Sequence, residues 1–114
     1  GSIPPGLVNG TSLTSLLLQN NALTGWIPVE LGELTGLHTL RLQGNALYGF
    51  VPSEPWLRMG ELVTLDLSRN RLTGSIPETL ASLPALRELY LHNNHFIGGT
   101  PAALVARNVT VFVR

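Results

Sequence analysis

The sequence has no cysteine and no lysine, and each absence removes a class of chemistry. Without cysteine there is no disulfide, no thiolate nucleophile and no zinc–thiolate site, and the redox compartment is left undetermined. Without lysine every basic side chain is an arginine, so amine-based catalysis at side chains is excluded. Net charge is missing as well. Seven acidic residues are scattered among seven basic ones, which creates no field to draw nucleic acid or an anionic membrane surface. The longest apolar run, 102–106, is far short of the ~20 residues of a membrane-spanning helix. No direct membrane insertion is therefore expected in this segment, and no signal-peptide pattern is present. At 114 residues the chain has room for one domain of ordinary size.

What the sequence does have is a period. Leu13, Leu37, Leu62 and Leu86 open matching segments spaced 24, 25 and 24 residues apart. The first reads Leu13, Leu16, Leu18, Asn21, Leu23, Gly25, Ile27, Pro28, and the second Leu37, Leu40, Leu42, Asn45, Leu47, Gly49, Val51, Pro52 at the same offsets. Leu62, Leu65, Leu67, Asn70, Leu72, Gly74, Ile76 and Pro77 form the third, and Leu86, Leu89, Leu91, Asn94, Phe96, Gly98 and Pro101 the fourth. Self-similarity at this length marks stacked units that cannot bury their apolar faces alone, so a solenoid is expected. The expected division is a single domain over 1–114: a partial repeat at 1–12, repeats at 13–36, 37–61, 62–85 and 86–108, and a terminal strand at 109–114.

Within a repeat, the alternation of Leu40 and Leu42 with Thr39, Arg41 and Gln43 is the period-two signature of a half-buried strand. Strands related by translation must pair in parallel, and the remaining residues return the chain on the opposite side. Leu31 and Leu34, repeated as Leu80 and Leu83, are apolar every third residue, which suits short, tight helical turns. The second return carries one extra residue, placing Trp56 and Met59 at leucine sites. Asn21, Asn45, Asn70 and Asn94 follow the strands, where an amide can satisfy backbone groups of the turning chain, and a structural ladder is expected of them.

Leu23-Thr24-Gly25-Trp26-Ile27-Pro28 and Leu72-Thr73-Gly74-Ser75-Ile76-Pro77 resemble the repeat element of plant-type leucine-rich-repeat proteins, over about Gly1 to Pro101. The resemblance implies an α/β leucine-rich-repeat solenoid, a horseshoe with a concave parallel β-sheet, short 3-10 or loop returns and a second short strand near the Gly-x-Ile-Pro element. It also implies the company of receptor-like kinase ectodomains, receptor-like proteins and secreted inhibitors of pectin-degrading enzymes. The cysteine pairs that cap such ectodomains are missing, Phe96 and Thr100 replace Leu and Ile in the fourth repeat, and Tyr48-Gly49-Phe50-Val51 varies the second.

Outward strand positions define the candidate binding surface. Its middle column is Leu17, Arg41, Asp66 and Tyr90, with Glu88 and His92 beside it on the last repeat. A mixture of aliphatic, cationic, anionic and phenolic groups on neighbouring strands suits a peptide or protein ligand, and a glycan is the other ligand class such a face admits. The competing reading is a solvated strand face with an Arg41–Asp66 cross-strand pair. Trp26 and Phe50 occupy the variable position of the Gly-x-Ile-Pro element, with Tyr48 nearby, so a second candidate surface lies on the flank. These rings read either as an interface anchor or as aromatics packed on one another.

Catalysis has little support. Asp66 and Glu88 on an open, wet sheet have no burial to raise one carboxyl pKa for glycoside hydrolysis, and His92 and His95 lack a third ligand of clear spacing. No enzyme, metal or cofactor is expected. Asn9 and Asn108 lie in Asn-x-Thr sequons on the return side, as candidate glycosylation sites. The reading that follows is a non-catalytic recognition module of a cell-surface or secreted protein. The alternatives are a structural subunit whose solenoid ends are covered by partners, or an inhibitor of an extracellular polysaccharide-degrading enzyme.

Overall fold

Alternating leucines at each repeat build strands of three residues. In the computed structural model, which describes residues 1–8, 12–107 and 109–113, seven strands follow one another: β1 (Ser15–Leu17), β2 (Thr39–Arg41), β3 (Tyr48–Phe50), β4 (Thr64–Asp66), β5 (Arg71–Thr73), β6 (Glu88–Tyr90) and β7 (Thr110–Phe112). β1, β2, β4, β6 and β7 form one parallel sheet in that order, and β3 and β5 form a second, two-stranded sheet. Parallel pairing follows because each strand is the same chain segment displaced by one coil.

The core is a spine of identical positions. Leu16, Leu40, Leu65 and Leu89 point inward from the strands, Leu42, Leu67 and Leu91 follow them, and all are buried. The returns are 3-10 turns at Pro5–Val8, Val29–Glu33, Pro55–Leu57 and Glu78–Ser82, and a single α-helical turn, α1 (Ala102–Val105). Leu31, Trp56, Leu80 and Leu104 enter the core from them. The extra residue of the second return is absorbed where Trp56 replaces leucine. Its Nε1 donates to Pro52 O at 2.7 Å, so the larger ring is buried without an orphaned donor.

Each internal asparagine ties two coils together. Asn70 Oδ1 accepts from Leu47 N (3.1 Å), while its Nδ2 donates to Leu42 O (3.0 Å), Leu67 O (3.2 Å) and Ser68 O (3.1 Å). Asn45 and Asn94 repeat the arrangement, Asn45 accepting from Leu23 N and Asn94 from Leu72 N. Asn21 differs, because the bonds its amide donates reach Leu18 O and Gln19 O of its own coil.

One end of the stack carries a polar device that the leucine pattern does not announce. Arg107 occupies the register of Leu34, Met59 and Leu83, and its guanidinium turns back over the preceding return to donate to Ala81 O (3.0 Å) and Leu83 O. The arginine thus ties its own coil to the carbonyls at the end of the preceding 3-10 turn, where the earlier coils place an apolar side chain.

Candidate binding surface

Sheet register brings the middle outward column together, since Leu17 pairs with Arg41, Arg41 with Asp66, Asp66 with Tyr90, and Tyr90 with Phe112. Phe112 is the member that the leucine alignment did not include. Its ring lies parallel to that of Tyr90 with centroids 5.0 Å apart, and it is 46% exposed. At the other end Leu17 is 54% exposed, so the column begins and ends in apolar side chains.

The face is not uniformly wet, which corrects the expectation of an open sheet without burial. On β4 the outward residues Thr64, Asp66 and Ser68 are all buried, at 7%, 7% and 2% exposure. They are small, and the longer side chains on either side overtop them: Arg41 and Gln43 from the β2 side, Glu88, Tyr90 and His92 from the β6 side. The result is a polar trough along β4. In its floor Asp66 Oδ1 accepts from Ser68 N (3.0 Å) and Ser68 Oγ (2.6 Å). Asp66 Oδ2 lies 3.8 Å from Arg41 Nη1, an ion pair too long for a hydrogen bond and of small stabilising value. In the wall, Glu88 accepts from Thr64 Oγ1 (3.2 Å) and from Tyr90 Oη (3.0 Å). That hydrogen bond, reinforced by burial and the carboxylate charge, holds the Tyr90 phenol above the ordinary tyrosine range, so it stays a donor.

The adjoining column carries buried polar atoms with no partner: Gln19 Oε1, Gln43 Oε1 and His92 Nδ1. His92 meets the Tyr90 ring edge-on at 6.3 Å. His95 is exposed beyond the strand. Among the described residues no three of His, Asp or Glu converge as metal ligands. Asn9 and Asn108 lie outside the described residues.

On the flank the aromatics do meet. Trp26 contacts Phe50 at 5.1 Å and Tyr48 at 6.3 Å, both edge-to-face, and the three rings are 53%, 55% and 47% exposed. The second sheet pairs two residues out of phase with the repeat, Phe50 opposite Thr73 and Ser75 opposite Ile97. The side chains of Ser2, Trp26 and Phe50 are thereby laid over Gly25, Gly49 and Gly74 of the next coil. A Cβ on Gly49 would stand 2.5 Å from Trp26 Cε3, and Gly49 has φ +81°. Gly49→Ala is expected to cost about 1–2 kcal/mol from the left-handed backbone alone and to lift the indole. Acrylamide quenching of tryptophan fluorescence should then increase, because Trp26 loses its seat while Trp56 stays buried.

Leucine-rich-repeat family models match residues 12–34 and 50–96. No curated protein sequence matches the chain. Among solved structures it is similar to the leucine-rich-repeat ectodomain of the plant membrane receptor kinase GASSHO1/SCHENGEN3 from Arabidopsis thaliana, solved with CASPARIAN STRIP INTEGRITY FACTOR 2. Identity is 37% and the TM-score 0.88, over 97% of this chain and 13% of that one. The ectodomain of the Arabidopsis thaliana receptor kinase SOBIR1 is 32% identical with a TM-score of 0.87, over 99% of this chain and 62% of that one. The Arabidopsis receptor kinase HAESA ectodomain, solved with an IDA peptide hormone ligand, is 31% identical with a TM-score of 0.86, over 98% and 19% of the two chains. The chain thus spans a small part of the length of GASSHO1/SCHENGEN3 and HAESA. With leucine-rich-repeat family models matching two stretches of a chain whose sequence repeats every 24–25 residues, and the parallel coils superposing on plant receptor ectodomains, the chain belongs to the leucine-rich-repeat family in its plant form.

Proposed function

We propose that the chain is a non-catalytic recognition module that holds an extended peptide, or a peptide-like segment of a protein, on its concave sheet. The observation that carries this reading is the in-register column of Leu17, Arg41, Asp66, Tyr90 and Phe112. It joins apolar ends to a charged, hydrogen-bonding middle on a rigid parallel sheet. Supporting it, HAESA was solved with a peptide hormone and another similar structure is a plant peptide hormone receptor, RGFR1, with RGF2. Similarity to membrane-receptor ectodomains supports a cell-surface or secreted location. The sheet does not need to move to bind, so the ordering cost falls on the ligand.

A second reading has its own observation. Ile97, Val105 and Phe112 expose 68%, 70% and 46% of their surface, apolar area that suits a partner subunit. The experiment separating the two is panning a library of random peptides displayed on phage against the chain. Binders are expected, and their affinity is expected to fall at least tenfold, or about 1.4 kcal/mol, in the double variant Arg41→Ala, Tyr90→Ala. The double flank variant Trp26→Ala, Phe50→Ala should leave it unchanged. Binders sensitive to the flank alone would overturn the concave assignment.

A further inference from the structure

We infer that the trough along β4 receives a cationic side chain of the ligand, an arginine or a lysine, with Asp66 and Glu88 as its counter-charges. The inference rests on the concave face being the ligand surface and names the ligand chemistry that this face selects.

The argument begins with side-chain size. Thr64, Asp66 and Ser68 are the small, buried floor of the face, at 7%, 7% and 2% exposure, between taller neighbours on both sides. The charges follow. Among the described residues the outward positions of the sheet carry one guanidinium, Arg41, and two carboxylates, Asp66 and Glu88. Arg41 approaches Asp66 only to 3.8 Å, beyond hydrogen-bonding distance. Asp66 commits Oδ1 to Ser68 and leaves Oδ2 without a hydrogen bond. Glu88 is oriented by two hydroxyl donors, Thr64 and Tyr90, and no cation pairs with it among the described residues. The nearby arginines outside the column, Arg69 beyond β4 and Arg87 before β6, are solvent-exposed. Two hydrogen-bonded carboxylates, Asp66 buried in the floor and Glu88 half-buried in the wall without a cationic partner among the described residues, are complementary to a guanidinium or ammonium and repel an anion. The Tyr90 ring in the wall adds a surface along which the methylene stem of a long basic side chain packs while its head reaches the carboxylates.

The test uses the peptides selected by panning. A basic residue is expected at one fixed position in the binders. Replacing it by glutamine in the peptide should weaken binding at least tenfold, a change that leaves the protein untouched. On the protein side, Glu88→Gln and Asp66→Asn should each weaken binding comparably. Each removes charge but keeps shape, and in Asp66→Asn the new side-chain amide retains an oxygen for Ser68. Unchanged melting curves for both variants would separate this loss from misfolding. Binders that are lost with Arg41→Ala, Tyr90→Ala but carry no fixed basic residue would overturn this inference and leave the concave reading standing. A fixed acidic residue would overturn it with the sign reversed. Failure to select any concave-face binder would overturn both.

Discussion

Trp56→Ala should lower the unfolding free energy by about 3–5 kcal/mol, the range for deleting a buried large aromatic side chain. Urea denaturation of the two chains measures it. Trp56 is 1% exposed and occupies the site that Leu31 and Leu80 fill in the neighbouring coils. The loss has two parts. The void left by an indole cannot close, because the floor of the site is the backbone of coils held in register by the parallel sheet on the other side. Pro52 O also loses the donor that reaches it at 2.7 Å. Trp56→Leu separates the parts: it refills most of the volume with the residue the repeat uses elsewhere, so the cost that remains reports the hydrogen bond and the extra residue of this return. A domain of this size has roughly 5–15 kcal/mol of stability in total, so the alanine variant is expected to melt at a markedly lower temperature. An alanine variant no less stable than the parent would mean that the second return is not packed as described.

The elements that can be read from the sequence are those whose cause is local or strictly periodic. A leucine every second residue dictates a strand and its inward face, and an apolar residue every third dictates a tight turn, so the parallel sheet and the 3-10 returns follow from pattern alone. The features that escape reading depend on relations between coils. Burial of Asp66 is set by the length of its neighbours, Arg41 and Tyr90, on strands 24 or 25 residues away in the chain, and not by anything in its own repeat. The seating of Trp26 over Gly49 requires the two-residue slip of the second sheet, whereas aligning repeats in phase places the ring beside Phe50 only. Phe112 and Arg107 were hidden for another reason: the fourth repeat departs from the pattern at Thr100, and the tail carries no leucine at the position of Arg107 to mark the register. Once the strand pairing Tyr90 with Phe112 is known, both fall into columns already defined by the earlier coils.

Asn70→Ala is expected to cost about 3 kcal/mol, well above the same change at Asn21, again by urea denaturation. The asparagine makes four bonds to the backbone, but they are not equally hard to lose. Leu42 O keeps a second donor in Asn45 Nδ2, Leu67 O keeps Asn94 Nδ2, and Ser68 O keeps Gly44 N. Leu47 N has only the Asn70 oxygen, at 3.1 Å, beside a fully buried leucine. Leaving that donor unpaired costs about 1–3 kcal/mol by itself, and the lost bonds and the small void add to it. Asn21 is exposed and donates only within its own coil, so water replaces what its removal takes away, and a cost below about 1 kcal/mol is expected there. Asn70→Asp gives the sharper test. The carboxylate keeps an oxygen for Leu47 N but turns its other oxygen toward the carbonyls of Leu42, Leu67 and Ser68, so the anion is disfavoured in the folded chain and its pKa there must rise. A carboxyl with a folded pKa above its unfolded value destabilises above that folded pKa, and the penalty fades as pH falls through it, since the protonated acid donates again. The variant should therefore gain stability relative to the parent on acidification. If the gap between the two instead stays constant from neutral to acidic pH, the carbonyls are not facing position 70 and the ladder does not bind the coils together as described.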